Sequence, residues 1–137
     1  MAKFSYERQV HYYETDQMGI VHHSNYIRWM EEARIDFLSQ IGWDFDKLEA
    51  EGLLSPVLSV DCKYRLSTMF PEVIDIDLWV ESFKGFKLKI GYRMERDGAV
   101  VSEGTTEHCF MSPEGRLINI KREKPEFYNA MVAHIRE

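Results

Sequence analysis

The stretch "SNYIRWMEEARIDFLSQIG", residues 24–42, has the period of an amphipathic helix and decides the fold. Its apolar residues recur at steps of three and four, so they share one face of a helix. They are Tyr26, Ile27, Met30, Ala33, Phe37, Leu38 and Ile41. Ser24 or Asn25 can cap the start, and Gly42 can end the helix in the left-handed conformation. The stretch therefore predicts a core helix of about four to five turns.

Charged residues on the opposite face of this helix stand at the spacing of ion pairs. Glu31 and Arg34 are three residues apart, and Arg28 and Glu32 are four apart. We expect both pairs to form at the solvated surface of the helix.

Downstream of the helix the apolar period changes from three or four to two, which indicates strands. Two runs alternate with polar residues, namely Leu54, Leu58, Val60, Cys62, Tyr64 and Leu66, and then Ile74, Ile76, Leu78 and Val80. A third run, residues 86–94, leads to Asp97-Gly98, which is a hairpin signal, and residues 99–111 predict its partner strand. Pro125 is suited to the first turn of a closing helix that continues through Ile135.

These elements give an opening strand, a long helix, antiparallel strands and a C-terminal helix. A sheet with one apolar face needs a cover, and the helix of residues 25–41 is the only long amphipathic element. We therefore expect an α+β fold in which the sheet wraps around that helix. Trp79, Val57 and Phe83 lie in the polar rows of the strands, which predicts contact with another subunit on the outer face or at a strand edge.

Length and composition restrict the possible functions. The 137 residues, of which 45% are hydrophobic, predict a single domain over residues 1–137. A net charge of -6 without a basic block argues against nucleic acid or an anionic membrane as partner. No segment resembles a signal peptide or approaches the roughly 20 apolar residues of a membrane span, so we predict a cytoplasmic protein. Cys62 and Cys109 form no CxxC pair and are expected to be buried thiols.

The segment "TDQMGIVHH", residues 15–23, places an acid immediately before the helix. Gly19 permits a tight turn, and the free N–H groups around His23 and Ser24 would point out of the helix start, where the dipole favours an oxyanion. A carboxylate such as Asp16 beside these donors can act as general base or nucleophile on a carbonyl carbon. This arrangement indicates acyl transfer to water.

Two simpler interpretations of the same segment remain open. Asp16 can be an ordinary turn residue, since short polar side chains are common in loops before helices. His22 and His23 can be read as a metal pair, although adjacent histidines cannot both face one ion as two histidines on one helix face do. The sequence contains no GxSxG, GxxxxGK[ST] or GxGxxG motif, so neither a triad hydrolase nor a nucleotide-binding loop is indicated.

The motif V-x-Y-x-x-T-D-x-x-G-I-V-x-H-x-N-Y-x-R-W-M-E-x-A-R, residues 10–34, resembles the signature of the 4-hydroxybenzoyl-CoA thioesterase family. The resemblance is nearest to the Tol-Pal-associated branch, and the order of elements is similar to the hotdog fold of that family over nearly the whole chain. The chain departs from the branch at His22, where an aromatic residue is usual, and at Met18, which often is a second glycine. Met18 would narrow the acyl entrance.

The resemblance implies a role for each matching residue. Asp16 matches the catalytic carboxylate, which serves either as nucleophile or as general base, and the backbone N–H of His23 matches the group that polarises the thioester carbonyl. Tyr12 matches a strand tyrosine that lines the pocket. Lys84 matches a basic residue that meets the phosphates of coenzyme A, although solvated strand lysines are an equal alternative. The full set of implied substrate-binding residues is Tyr12, Gly19, Val21, Ser24, Lys84, Lys87 and Lys89.

The resemblance also implies partners. The substrate would be an acyl-CoA, so coenzyme A enters as substrate, and no other cofactor and no metal is expected. Proteins of this family are homodimers, often paired into homotetramers, whose active sites use both subunits. An acyl carrier protein thioesterase and a non-catalytic acyl-CoA-binding hotdog protein are the two alternatives.

Overall fold

A computed structural model describes residues 4–135 and contains one five-stranded antiparallel sheet. The strands lie in the order β1-β3-β4-β5-β2. Their bounds are β1 Phe4–Gln9, β2 Val57–Tyr64, β3 Val73–Phe83, β4 Leu88–Arg96 and β5 Ala99–His108. The long helix α1, Ser24–Gln40, packs its apolar side chains into one core cluster with the buried strand residues. The predicted α+β hotdog architecture is therefore confirmed.

Helix α1 ends as predicted but begins differently. The Gly42 N–H binds the carbonyl of Ser39, and its φ of +85° is the left-handed value that glycine adopts readily. The prediction that Ser24 or Asn25 caps the start is wrong, because His23 occupies the cap position and its own side chain accepts no bond there. The Asn25 side chain instead reaches back to the carbonyl of Glu14 at 3.0 Å. The Ser24 N–H donates to His22 Nδ1 at 3.3 Å, and the N–H groups of Asn25 and Tyr26 bind the carbonyls of His22 and His23.

The two faces of α1 also differ in detail from the prediction. Trp29, which the period of three and four residues did not assign to the core, is completely buried, whereas Ile27 is exposed. Neither predicted ion pair on the helix is found among residues 4–135; Glu32 instead binds Arg8 at 2.8 Å. A tertiary contact between Glu32 and Arg8 of β1 thus replaces the predicted pair of Glu32 with Arg28.

The alternation of β3 and β4 follows the prediction up to one irregularity. Ile74, Ile76, Leu78 and Val80 are buried on the helix side of the sheet. The register against β4 shifts between Val80 and Ser82, which turns Phe83 into the core. The prediction that Phe83 lies in the outer rows is therefore wrong.

Strand β2 lies at one edge of the sheet, bonded to β5 on one side. Val60, Cys62 and Tyr64 share the face that looks towards α1, since they are paired through β5 with buried residues of β4. Nevertheless, Val60 is 40% exposed in the single chain. The end of the sheet formed by β2 is consequently not covered by the helix.

The remaining helices are short. Helix α2, Phe45–Ala50, was not predicted and begins with an Asp44 side chain that accepts from the Lys47 N–H at 2.9 Å. Helices α3, Ile120–Glu123, and α4, Pro125–Val132, close the described chain, and α4 starts at the predicted proline. No helix within residues 4–135 is long and apolar enough to cross a membrane.

Candidate active site

The loop between β1 and α1 forms a tight turn around Asp16. The Asp16 N–H donates to the carbonyl of Ile20, and the Gly19 N–H donates to the carbonyl of Asp16, both at 2.9 Å. Gly19 has a φ of +77°, so the turn uses the conformational freedom of glycine. One oxygen of the Asp16 carboxylate accepts from the Met18 N–H at 2.8 Å, and the other has no partner within residues 4–135. The turn therefore orients the carboxylate and leaves one oxygen free to react.

The start of α1 supplies an unpaired backbone donor near this carboxylate. The N–H of Asn25 binds the carbonyl of His22, and the N–H of Tyr26 binds the carbonyl of His23. The N–H of His23 itself has no acceptor in the described part of the chain. Because it lies at the N-terminal end of a helix of 17 residues, the helix dipole adds to its attraction for a developing negative charge.

Asp16 and His23 line the same cavity, which has a volume of about 320 Å³. Val21, a predicted substrate contact, and Met18, the predicted constriction, also line it. The remaining lining residues are Ile20, Tyr26, Tyr64, Arg65, Leu66 and Ser67. The fold thus brings the predicted acid and the predicted N–H donor to one site.

The end of β2 forms a wall of this cavity that the sequence interpretation did not identify. The Tyr64 hydroxyl donates to the carbonyl of His23 at 3.3 Å. Burial, followed by the nearby Cys62 thiol, raises the pKa of Tyr64 to about 12, so the phenol remains a donor at neutral pH. Tyr64 appeared in the sequence only as one member of an alternating strand, and its position beside the helix start depends on tertiary pairing.

A buried carboxylate two residues before Asp16 fixes the loop. Glu14 is 4% exposed and accepts hydrogen bonds from both terminal nitrogens of Arg8, from the Trp29 indole and from the His11 N–H, at 2.7 to 3.0 Å. Burial alone would raise the pKa of this carboxyl, but the bonds from His11, Trp29 and Arg8 outweigh it and hold the pKa below its usual range. Glu14 is therefore an ionised anchor in the protein interior.

The backbone of Glu14 connects this anchor to the helix start. Its carbonyl accepts from the His22 N–H at 2.9 Å and from the Asn25 amide at 3.0 Å. The Asp16 turn is thus held at both ends, by Glu14 before it and by the His22 N–H after it. Spacing along the sequence gave no indication of this role for Glu14 or for Asn25.

Several predicted substrate contacts lie outside the cavity lining. Gly19 shapes the turn, and the Ser24 hydroxyl binds His22 Nδ1 at 2.8 Å. Tyr12 is 76% exposed, and its ring meets that of Phe70 with the centroids 5.8 Å apart. The structure of one chain therefore does not bring Tyr12 into the lining of the Asp16 cavity, and its predicted role is untested.

The three predicted coenzyme A lysines are not close to Asp16 in one chain. Lys84 and Lys87 lie in the connection between β3 and β4, whereas the Asp16 loop adjoins the opposite end of β3, where the Val10 N–H binds the carbonyl of Glu72. Lys89 lies on the outer face of the sheet, in a groove that Trp79 also lines. None of the three lysines lines the Asp16 cavity of the described chain, so their role stays a prediction.

The histidine pair shows no sign of a metal centre. The rings of His22 and His23 lie 4.3 Å apart, and His22 Nδ1 is taken by Ser24. Within residues 4–135 there is no group of three or more His, Cys, Asp or Glu side chains that could hold a metal ion.

Comparison with known proteins agrees with the fold and identifies the family. Residues 10–135 match the thioesterase-like superfamily. A protein of Aquifex aeolicus named "Putative esterase" is 36% identical over 120 residues, which are 88% of this chain and 93% of that protein. A Bacillus subtilis protein named "Putative acyl-CoA thioesterase YneP" is 32% identical over 126 residues, with 90% and 91% covered.

A solved structure gives the same result. The DHNA-CoA thioesterase of Staphylococcus aureus superimposes with a TM-score of 0.91 at 29% identity, covering 97% of this chain and 91% of that one. The predicted enzyme class, thioester hydrolase, is confirmed at the level of the family, whereas the narrower 4-hydroxybenzoyl-CoA thioesterase branch is not shown. Because residues 10–135 match the family and relatives of 32% and 36% identity cover most of the chain, the chain belongs to the thioesterase-like superfamily.

Proposed function

We propose that the protein hydrolyses an acyl-CoA thioester to the free acid and coenzyme A, with Asp16 as the reacting carboxylate. One observation carries the proposal: Asp16 and His23 line a single cavity, and within residues 4–135 one carboxylate oxygen of Asp16 and the backbone N–H of His23 have no partner. The names of the relatives, which include an acyl-CoA thioesterase and a DHNA-CoA thioesterase, support the same chemistry.

Two routes are compatible with these groups. As general base, Asp16 removes a proton from water while the water oxygen bonds to the thioester carbon, and the carbon–sulfur bond then breaks to release the thiolate. As nucleophile, Asp16 bonds to that carbon itself, the thiolate leaves, and water hydrolyses the resulting anhydride. In both routes the His23 N–H stabilises the oxyanion, and a donor of this kind contributes about 2 to 4 kcal/mol.

The assembly we propose is a homodimer that uses the uncovered edge of the sheet. The free edge of β2 offers unpaired backbone groups, and Val57, Leu58, Val60 and Tyr64 are exposed along it. Pairing two copies along this edge would cover these side chains. It could also bring lysines of one subunit to the active site of the other. A homotetramer, a single domain over residues 1–137 and a cytoplasmic location remain predictions.

The test of the proposed chemistry is the substitution Asp16→Asn. Asparagine keeps an oxygen for the Met18 N–H, so the turn is preserved while the base is removed. We expect at least a hundredfold loss of kcat on acyl-CoA, in line with the roughly 10²- to 10⁴-fold contribution of general bases. The matched control is Asp97→Asn, an acid-to-amide change at the exposed β4–β5 turn, which should stay within about twofold of the parent.

The measurement is release of free thiol from aromatic, short-chain and medium-chain acyl-CoAs. If the Asp16→Asn protein hydrolyses acyl-CoA as fast as the parent does, the catalytic role of Asp16 is disproved. Faster release from acyl carrier protein thioesters than from matched CoA thioesters would favour the carrier-protein alternative. Tight binding of acyl-CoA without turnover at any chain length would favour the non-catalytic one.

A further inference from the structure

Helix α1 contains a buried charged side chain that has no partner. Arg34 is 6% exposed, and no hydrogen-bond acceptor lies within reach of its guanidinium among residues 4–135. The Phe45 ring centroid is 5.5 Å from the guanidinium carbon, and Tyr92 and Glu31 act on Arg34 through electrostatic interaction without a hydrogen bond. Arginine stays protonated at neutral pH, and a buried charge without a partner is unfavourable. A group that accepts hydrogen bonds is therefore missing beside Arg34.

A second unpaired polar group lies near Arg34. The Tyr92 hydroxyl contacts Thr106 at 2.7 Å, and Thr106 contacts His108 Nε2 at 2.7 Å. The other ring nitrogen, His108 Nδ1, is buried and has no hydrogen-bond partner in the described part of the chain.

Arg34 carries the charge of this pair of groups and can only donate hydrogen bonds. Burial, followed by the charge of Arg34, lowers the pKa of His108 to about 3, so the imidazole is neutral and Arg34 is the cation of the pair. The complementary ligand is an anion or another oxygen acceptor.

Arg34 opens onto a cleft of about 270 Å³ whose walls are mainly apolar. The apolar lining residues are Phe45, Leu48, Leu53, Leu54 and Val57. Glu31 and Glu49 also line the cleft, and both are exposed. Arg34 is the least exposed of the charged lining residues, and it would attract a single carboxylate attached to a hydrocarbon better than a strongly hydrated dianion.

The cleft and the Asp16 cavity lie along the same two elements. Strand β2 has Val57 at the cleft and Tyr64 at the Asp16 cavity, and the helix-facing Val60 is exposed between them. On α1, Tyr26 lines the cavity and Arg34 lines the cleft, eight residues or about 12 Å further along the axis. The Asp16 cavity and the Arg34 cleft therefore lie beside the same helix and the same strand, about two helical turns apart.

We propose that Arg34 binds the terminal carboxylate of an ω-carboxyacyl thioester, whose hydrocarbon chain passes along the exposed face of β2 at Val60 and whose thioester meets Asp16. The inference rests on the proposed function, and it names the acyl class that the same site prefers. Arg34 acts as a specificity residue and takes no part in the bond-breaking step.

The test compares matched substrates that differ only in the terminal group. Adipyl-CoA, sebacyl-CoA and dodecanedioyl-CoA are compared with hexanoyl-CoA, decanoyl-CoA and dodecanoyl-CoA, and with the methyl ester of sebacyl-CoA as a neutral analogue of similar length. We expect kcat/KM for the best ω-carboxyacyl substrate to exceed that of its neutral partner by about tenfold or more, as for a charge-assisted bidentate bond. Arg34→Met should remove the preference and leave activity on the neutral substrate within about threefold.

Two further variants serve as controls. Arg28→Met removes an exposed arginine from the same helix and should keep the parent's preference. Arg34→Lys retains the charge without the bidentate geometry, so an intermediate preference is expected even if Arg34→Met does not fold. The absence of any preference in the parent, or its persistence in Arg34→Met, would overturn the inference.

Two outcomes distinguish this inference from the catalytic proposal and from a role of Arg34 between subunits. If no thioester is hydrolysed, calorimetric binding of sebacyl-CoA and decanoyl-CoA to the Asp16→Asn protein decides it: tighter sebacyl-CoA binding supports the Arg34 site although the catalytic proposal has failed, and equal binding overturns it. If Arg34→Met dissociates the oligomer while Arg34→Lys does not, the partner of Arg34 is an acceptor from a second copy, and the substrate assignment is wrong.

Discussion

At the scale of single residues, two carboxylates only two positions apart have opposite environments. Glu14 is buried and receives four hydrogen bonds, whereas one oxygen of Asp16 has no partner within residues 4–135. The position of Asp16 before the helix made it a candidate, and the resemblance to the 4-hydroxybenzoyl-CoA thioesterase family gave it the catalytic role. It could not point to Glu14, since the donors that surround Glu14 come from β1 and from the middle of α1. A loop glutamate is ordinarily solvated, and only the tertiary structure shows this one to be an anchor.

We predict that Glu14→Gln destabilises the protein by about 3 kcal/mol or more, because it leaves the buried Arg8 charge without its full partner. Urea unfolding at fixed protein concentration measures the change. The loop that holds Asp16 should loosen as well, so kcat on acyl-CoA should fall even though Glu14 does not contact the cavity.

The matched control for this prediction is Glu32→Gln. Glu32 binds the same arginine, but its side chain is 35% exposed, so water competes for the interaction. We expect a loss below about 1 kcal/mol for Glu32→Gln, as for other accessible ion pairs. Equal losses for the two variants would show that Glu14 is not the anchor of the loop.

At the scale of elements, strands β4 and β5 are joined by the polar chain from Tyr92 through Thr106 to His108. The unfolded chain takes up a proton on His108 near pH 6.5, whereas the folded protein does so only near 3. The unfolded state therefore binds more protons throughout this window, and stability falls as the pH decreases from 6.5. Between pH 6.5 and about 5 we expect His108 to account for a loss of about 2 kcal/mol.

The variant His108→Gln isolates this effect, because glutamine can still bind Thr106 but does not titrate. Unfolding free energies of parent and variant, measured between pH 5 and about 8, should converge as the pH falls. Glu14 does not disturb the comparison, since the pKa of its carboxyl is lowered from 4.5 and its contribution is lost only at more acidic pH. Parallel pH profiles for the two proteins would contradict a buried neutral His108.

The elements also show where reading the sequence succeeds and where it does not. The positions of α1, β3, β4 and α4 follow from periodicity, because each buries one regular face. The inward turn of Phe83 depends on a register shift after Val80, and a bulge leaves no mark on an alternating pattern. Helix α2 has only six residues, too short for a helical period to be evident.

At the scale of the whole molecule, one chain leaves part of the sheet uncovered. The apolar face of β2 was predicted to be in a core, yet it is exposed where α1 does not reach it. The Arg34 cleft and the Asp16 cavity both lie beside this strand. Periodicity identifies which side chains need to be covered, but it cannot say whether the same chain or another one covers them. The exposed face of β2 therefore supports the dimer that we propose.

We predict that the parent protein is a dimer at micromolar concentration and that the double substitution Leu58→Lys with Val60→Lys makes it monomeric. Two lysines on an exposed strand edge would have to be desolvated on pairing, and edge lysines are a common means of preventing strand association. Ser59→Lys is the control, because Ser59 lies on the outer face of β2, where its hydroxyl binds Glu107, and lysine there can still pair with that acid. Sedimentation velocity distinguishes the two species, and circular dichroism establishes that the double variant is folded. A parent that sediments as a monomer, or a double variant that remains dimeric, would show that the uncovered face of β2 is not the subunit interface.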